Sequence, residues 1–388
     1  MRIKYIYIIV ATTILLCSVV VVRAQFKKYS NEFLNIGPGA RAQAMGGAVI
    51  ATVDDATSGF WNPAALTNID SNRSLSLMHA DYFSGIAKYE YGSIAIPTSN
   101  RKRTLGISFI RFGVDDIPNT LYLVNPDGSI DYNNITSFSS ADYALLFSYA
   151  QKATIKKTEL SVGGNAKLIY RKVGSFAQAW GFGFDVGAQL KKGNWRMGAI
   201  LRDVTTTFNA WSFDFSDRDK QQLYLTNNDI PIKSLELTAP HLTIGAGYQF
   251  KLSKKFSLLA ETDWALNFDG KRNSIISTSF LNIDPNVGVE FDYNKIIYVR
   301  GGVGGFQQAL SDGDTTNQKK VWICQPSIGV GVTIGNFTID YALSNLANQS
   351  NPLYSNIFSV KIKLIKNHKN KSNTKPVINN GRRRRMAI

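Results

Sequence analysis

Several residue types on which enzymes and small stapled domains depend are scarce in this 388-residue sequence. Two cysteines are too few for a disulfide framework or a cysteine-rich zinc module. There are only three histidines (His79, His241 and His368), and the HExxH, GxSxG, CxxC and P-loop motifs are absent from the sequence. We therefore expect no catalytic site, no metal and no cofactor, and we interpret His79 and His241 as rim residues at strand ends.

Acidic residues are also scarce, with 28 Asp and Glu against 44 Lys and Arg and a formal net charge of +16. Such an excess ordinarily suggests nucleic acid or an anionic surface as a partner. Much of it lies in an N-terminal leader and in the tail 366–388, which contains eight positive charges and no acid. Because the charge is concentrated at the two ends, we expect no nucleic-acid partner.

The tail itself has two interpretations. A run of like charges is typical of a disordered, solvated periplasmic segment. The alternative is electrostatic docking to an acidic periplasmic partner or to anionic lipid. The candidate docking residues are Arg382, Arg383, Arg384 and Arg385.

Long apolar runs are missing after residue 25, and the one before it has the layout of a secretory signal peptide. Two basic residues precede the run 5–22, and Val22 and Ala24 fit the small-residue rule for cleavage before Gln25. The alternative is an uncleaved membrane anchor. Cleavage at 1–24 leaves Cys324 as the mature chain's single cysteine, which we interpret as an inert strand residue.

What the mature sequence does contain is a period-2 alternation of apolar and small or polar residues. Over 180–190, Trp180, Phe182 and Phe184 alternate with Gly181 and Gly183. Most such segments have about the 9–11 residues that a tilted strand needs to cross a bilayer. Fourteen of them occur, at 73–80, 86–96, 103–112, 141–151, 158–170, 180–191, 194–202, 240–250, 256–266, 286–292, 296–303, 325–334, 336–344 and 356–365.

The connections between these segments alternate strictly between short and long, which distinguishes a membrane barrel from a soluble β-sandwich. The short ones are basic, whereas the long connection 113–140 holds four Asp and no Lys or Arg. We therefore predict an all-β protein: a transmembrane antiparallel β-barrel of about 14 strands spanning 71–365. The short turns and both termini are expected on the periplasmic side of a bacterial outer membrane, with outer-membrane lipid around the wall.

Charged residues also occur at strand positions that the alternation turns towards the lumen. Facing lipid they would be costly, so we interpret them as structural ion pairs inside the barrel. They are Lys167, Asp185, Arg196, Arg202, Glu261, Asp263, Glu290 and Asp340.

The segment 25–70 does not alternate, and its abundant Gly and Ala suit a compact plug within a lumen. Its motifs AMGGA (44–48), DDA (54–56) and FWNPAAL (60–66) resemble the N-terminal signature of the PorV/PorQ family of Bacteroidota outer-membrane proteins. Ala65 stands where the PorV pattern has Lys, so we expect a paralog rather than PorV itself. The plug-motif residues are Gly46, Gly47, Asp54, Asp55, Trp61, Asn62, Pro63 and Ala64.

The resemblance implies a fourteen-stranded barrel with an N-terminal plug, similar in architecture to the FadL long-chain fatty-acid transporters. It also implies a non-enzymatic partner or scaffold in type IX protein secretion or cargo attachment. The implied partners are type IX secretion components or cargo C-terminal signal domains. The alternative is a FadL-like passive transporter of hydrophobic small molecules.

Overall fold

The computed structural model describes residues 30–125, 127–155, 158–231, 233–310, 320–346 and 354–365. The predicted signal peptide 1–24 and the tail 366–388, with its four arginines, lie outside these residues. Fourteen long strands form the wall of the fold. They are β1 (Arg73–Tyr82), β2 (Ala87–Pro97), β3 (Arg103–Asn119), β4 (Thr136–Ile155), β5 (Thr158–Val173), β6 (Ala177–Lys192), β7 (Trp195–Arg202), β10 (His241–Lys251), β11 (Phe256–Asn267), β13 (Asn282–Tyr293), β14 (Ile297–Leu310), β15 (Lys320–Ile334), β16 (Phe337–Ser344) and β17 (Ser355–Leu364).

The wall closes on itself. Each strand pairs antiparallel with its neighbours, and β17 pairs with β1 in the register Arg73↔Leu364 to Asp81↔Asn356. Every one of the fourteen alternating segments is a strand of this ring, so the predicted barrel is confirmed. Closure leaves no unpaired sheet edge, which is what a strand protein in lipid requires.

Three further strands, β8 (Thr207–Phe213), β9 (Ser234–Thr238) and β12 (Ile276–Ser277), belong to the long connections. β8 pairs with the upper part of β6, where β7 has already ended. They extend the wall beyond the ring on one side.

The two rims of the barrel differ, as predicted, although the alternation of connection lengths is not strict. On one side, the short-turn rim, every connection has two to five residues. The other side, the long-loop rim, carries the long connections, but also tight turns at 83–86 and 174–176. The prediction of strict alternation was therefore wrong at these two hairpins, where neighbouring strands need no loop between them.

The outer face of the wall is apolar. On β6, Trp180, Phe182 and Val186 are 54%, 38% and 54% exposed, whereas Asp185 between them is 1% exposed. The same alternation recurs on the neighbouring strands, so exposed aromatic and branched side chains surround the barrel. Such an extended apolar surface is typical of a wall in contact with lipid.

Residues 30–69, the inner segment, occupy the lumen. They form α1 (Phe33–Ile36), α2 (Ala40–Ala44), α3 (Ser58–Trp61) and a 3₁₀ helix at Pro63–Asn68. The segment starts at the long-loop rim, where Ser30 Oγ lies 2.7 Å from Thr238 Oγ1. It reaches the short-turn rim before Asp70, whose carboxylate lies 3.2 Å from Lys363 Nζ. The first described residue, Ser30, is therefore on the long-loop side, whereas the predicted periplasmic location of both termini concerns residues outside the described part.

The remaining helices, a 3₁₀ turn at Tyr132–Asn134 and α4 (Asp217–Leu225), lie in the long loops. Within the described residues, no helix has the length and apolar character needed to cross a membrane.

Glycines on the inner face of the wall let the inner segment approach closely. A Cβ on Gly163 would lie 2.6 Å from Ala64 N, and one on Gly288 would lie 2.5 Å from Met45 O. Side chains at these positions would overlap the backbone of the inner segment. Gly163 and Gly288 therefore shape the lumen as well as the wall.

Candidate functional site

A pair of carboxylates on β11 holds the middle of the inner segment. Asp263 Oδ2 accepts hydrogen bonds from the backbone N–H groups of Val49 (2.8 Å) and Ile50 (3.0 Å). Glu261 accepts from Ala51 N at 2.7 Å and also from the Thr52 hydroxyl. These N–H groups lie outside any helix or sheet ladder, so the carboxylates satisfy donors that would otherwise be buried without partners.

An alternating chain of cations and anions ties the inner segment to four strands of the wall. Arg41, on α2, lies 2.8 Å from Glu290 of β13, which also binds Arg300 of β14 at 2.6 Å. Arg300 lies 2.7 Å from Asp340 of β16, and Lys361 of β17 lies 2.9 Å from the same carboxylate.

The chain ends where it began, on the inner segment, because Lys361 Nζ also lies 3.5 Å from the Asp55 carboxylate. Removing one partner from such a buried network leaves an uncompensated charge, which destabilises more than the loss of a surface pair. The network therefore fixes the position of the inner segment within the barrel.

A second charged cluster lies nearer the long-loop rim. Lys167 Nζ contacts Asp185 at 2.8 Å and Asp203 at 2.5 Å, and His241 Nδ1 lies 3.6 Å from Asp203. Arg202 donates to Phe60 O at 3.1 Å and lies over the Phe60 ring. The inward positions predicted from the alternation thus lie in the lumen, but only half of them form the predicted ion pairs: Lys167, Asp185, Glu290 and Asp340. The other four bind backbone groups of the inner segment instead: Arg196, Arg202, Glu261 and Asp263.

The FWNPAAL motif forms the contact between the inner segment and β6. Asn62 Nδ2 donates to Ile50 O and to Ala188 O, both at 3.1 Å, while its Oδ1 accepts from Ala64 N. Pro63 follows at the first position of the 3₁₀ helix, where a missing N–H costs nothing. The motif therefore serves the packing of the inner segment against the wall.

The other motif residues have different environments. Trp61 Nε1 donates to Pro38 O at 2.8 Å, and the Asp55 carboxylate accepts from Thr57 N at 2.8 Å. Asp54 is exposed. Gly46 and Gly47 have φ values of +64° and +83°, a conformation that favours glycine.

Above the inner segment, towards the long-loop rim, lies an open chamber. It consists of two adjoining cavities of about 460 and 300 Å³ that share Asn35, Gly47, Trp61, Asn286, Gly305 and Gln325 in their linings. This volume is within the range of ligand pockets, about 300–1,000 Å³. The chamber is therefore large enough to hold a small molecule.

The hydrogen-bond ladder of the wall has a gap beside this chamber. The β13–β14 ladder stops at the pair Val287↔Val303, and β14 has a bulge between Gly304 and Gln307, where Gly305 has φ +60°. Beyond the bulge, Asn273 bridges the gap by exchanging hydrogen bonds of 2.7 and 2.9 Å with the Gln308 backbone. We call this gap, bounded by Val287–Val303 below and Asn273–Gln308 above, the wall window.

Two long loops are joined above the long-loop rim. The Tyr122 hydroxyl donates to Asp219 at 2.5 Å, and Gln222, on the same helix α4, donates to Val124 O at 2.9 Å. The Ser216 hydroxyl and then the Tyr122 hydroxyl, by donating to the Asp219 carboxylate, hold its pKa below its ordinary value. The contact therefore depends on an ionised Asp219.

His79 lies on the outer part of β1, half exposed, with Nδ1 2.8 Å from Glu90. Neither it nor His241 adjoins a nucleophilic side chain within hydrogen-bonding distance in the described structure.

The alternation predicted the inward acids, but it did not identify Arg41, Arg300 and Lys361 as their partners. Counting every second residue along β14 and β17 would have identified Arg300 and Lys361 as inward-facing. Arg41 lies in the inner segment, whose sequence does not alternate, so no such count applies to it.

The fold has counterparts among solved structures. It is similar to the toluene transporter TbuX of Ralstonia pickettii, with 16% identity, 84% of this chain and 98% of that chain covered, and a TM-score of 0.51. It is also similar to the toluene transporter TodX of Pseudomonas putida, with 13% identity, 85% of this chain and 99% of that chain covered, and a TM-score of 0.52. A third similar structure is CymD, a monoaromatic hydrocarbon channel, with 14% identity, 86% of this chain and 99% of that chain covered, and a TM-score of 0.52. No family model and no curated protein matches the sequence. At these identities the likeness shows the fold, a closed fourteen-stranded barrel.

Proposed function

We propose that the protein is a passive, FadL-like channel for hydrophobic small molecules in a bacterial outer membrane. The observation that carries the proposal is the chamber, because it lies towards the long-loop rim and borders the two strands that part at the wall window. Asn286 of β13 and Gln307 of β14 line the chamber, and they come from the two strands that part at the window. The proposal involves no chemical step.

Transport straight through the barrel conflicts with the packing of the inner segment, which fills the lumen towards the short-turn rim as a plug. Met45, Val49 and Leu66 are fully buried there. A molecule that enters from the long-loop side therefore leaves sideways, through the wall window into the bilayer. The similarity of this fold to the folds of two toluene transporters and of a hydrocarbon channel supports this proposed function.

The test is uptake in the native bacterium. Deletion of the gene is expected to lower the initial uptake rate of a radiolabelled alkylbenzene at low external concentration, and the wild-type gene to restore it. Gln307→Trp places a large ring beside the window and is expected not to restore uptake. Gln178→Trp, on the exposed face of β6, is the matched control and is expected to restore it. Unchanged uptake after deletion would contradict the proposal.

The second candidate is the scaffold in type IX secretion that the PorV/PorQ resemblance implies. The observation that favours it is a cluster of exposed apolar side chains on the joined long loops. Tyr132 is 72%, Tyr224 81% and Leu235 62% exposed. Exposed aromatic residues on ordered loops are typical of protein-binding surfaces.

This candidate predicts that type IX secretion components or cargo signal domains copurify with the detergent-solubilised protein. The double variant Tyr132→Ser/Tyr224→Ser is expected to lose them, whereas Lys88→Ser, a half-exposed wall variant, is expected to keep them. Recovery of wild-type protein without any secretion component would reject the scaffold.

A further inference from the structure

The lining of the chamber includes both apolar side chains and amides. Apolar side chains come from the inner segment and the β1–β2 turn, and they include Ile36, Trp61 and Phe83. Amides come from β13, β14 and β15, and we call these three, Asn286, Gln307 and Gln325, the amide side. A molecule that fills the chamber therefore meets hydrocarbon as well as hydrogen-bonding groups.

The amide side lacks internal partners. Within the described residues, the side-chain amides of Asn286 and Gln325 make no hydrogen bond to another protein group, although both line the two cavities that form the chamber. Each amide offers a carbonyl acceptor and an NH₂ donor. Together the two amides can bind a ligand group that donates a hydrogen bond, accepts one, or does both.

The charges around the chamber disfavour an anion. Its basic groups are already engaged: Arg272 lies 2.5 Å from Asp269, Arg202 donates to Phe60 O, and His241 lies 3.6 Å from Asp203. The lining also contains two acidic residues, Glu32 and Asp284, which no ion pair within 4 Å neutralises in the described structure. An ionised carboxylate in the chamber would find no cation that lacks a partner, and Glu32 and Asp284 add acidic groups to the lining.

We propose that the chamber selects amphipathic molecules whose polar end is neutral and hydrogen-bonding, such as an alcohol or a primary amide, over molecules of the same length that end in a carboxylate. This selectivity rests on the proposed transport function and names its substrate class. The amides of Asn286 and Gln325 are the specificity-determining groups, because a ligand group that hydrogen-bonds to them replaces the water it displaces, whereas a hydrocarbon displaces that water without replacing its hydrogen bonds.

The test compares 1-decanol, decanamide and decanoate at pH 8, at which decanoate is ionised, with decane as the hydrocarbon reference. Binding to the full-length protein in detergent micelles is measured by competition against one fluorescent alkyl probe. For wild type, decanol and decanamide are expected to compete more strongly than decanoate. Asn286→Leu and Gln325→Leu are each expected to weaken decanol binding roughly three- to tenfold, the effect of one hydrogen bond, and to leave decane unchanged.

Gln178→Leu, an exposed amide on the outer wall, is the matched control and is expected to leave all four probes unchanged. Gln325 is exposed, so Gln325→Leu supplies the result if Asn286→Leu fails to fold, as judged by its β-sheet circular dichroism. Two results would overturn the selectivity: decanoate binding as tight as decanol binding, or unchanged decanol binding in the Gln325→Leu variant. If decane still binds, the proposed transport function would survive either result. Absence of binding by every probe, decane included, would overturn the selectivity together with the proposed function.

Discussion

The two ends of the lumen are built in opposite ways. Towards the short-turn rim, the inner segment lies directly against wall glycines, and its charges and N–H groups meet Glu261, Glu290 and Asp340. Towards the long-loop rim, the same segment borders an open chamber in which the amides of Asn286 and Gln325 have no partner among the described residues. The comparison teaches that charged groups hold the inner segment in the lumen, whereas two uncharged amides remain available to a ligand. Four changes test this division, in order of decreasing expected effect.

The largest effect is expected from Arg300→Leu. Arg300 joins Glu290 to Asp340, and its removal leaves each carboxylate with one remaining partner, Arg41 or Lys361. We expect a loss of about 3 kcal/mol in the free energy of unfolding, the lower end of the range for broken buried pairs. Guanidinium unfolding of the protein in detergent measures it.

The matched control for this change is Lys88→Leu, which breaks the half-exposed pair with Asp115. Its cost is expected to be about 0–1 kcal/mol. Equal effects of the two substitutions would show that the buried network contributes nothing special to holding the plug.

Gly302→Leu is expected to displace the plug. An added side chain at Gly302 would overlap the backbone of Met45 and Gly46, whereas Gly301, next to it on β14, faces outwards and has only Ser327 O at 4.0 Å. Overpacking of this kind costs about 1–3 kcal/mol. In planar bilayers, Gly302→Leu should show ion conductance that wild type lacks, and Gly301→Leu should remain closed.

Asp263→Asn is expected to loosen the plug without displacing it. The substitution keeps one oxygen for the Val49 and Ile50 N–H groups but places an NH₂ donor where the second carboxyl oxygen is buried without a hydrogen-bond partner in the described structure. The expected loss is about 1–2 kcal/mol. Faster hydrogen exchange at 49–52, with no change in the exchange of the wall strands, would show it; Asp115→Asn is the exposed control.

The smallest effect is expected at the joined long loops. Because the folded-state pKa of Asp219 is lowered, the stabilisation from its ionised form is present above the ordinary Asp pKa of about 4 and is lost as the pH falls through the lower, folded value. Spin labels on the two loops, at 132 and 224, should therefore separate in strong acid. Ser216→Ala, which removes the cap of α4 at a cost of about 1 kcal/mol, should move that separation to higher pH.

The sequence predicted the ring of fourteen strands because lipid on one face and a packed lumen on the other impose a period of two. It did not predict how far the strands extend past the long-loop rim. A loop was predicted over 113–140, but β3 continues to Asn119 and β4 begins at Thr136, so the connection is only residues 120–135. Those extensions lie beyond the apolar band, so their outer residues need not be apolar.

The contacts of the plug were not predictable in the same way. Alternation shows which residues of a strand face the lumen, but it does not show which residues of the inner segment they contact there. Asp263 was identified as inward, yet its partners Val49 and Ile50 are backbone groups, and backbone N–H groups carry no sequence signal. The lining residues of the chamber were not predictable for the same reason, since the chamber is a space left between elements distant in sequence.

The order of elements along the chain has a consequence for assembly. The plug precedes all the strands, while the seam that closes the wall joins the first strand to the last, with Arg73 opposite Leu364. Pairing at so large a separation is slow, because a long stretch of chain must be ordered first. Since the inner segment contacts strands all around the ring, closure of this seam completes the enclosure of a segment that lies earlier in the chain than any strand.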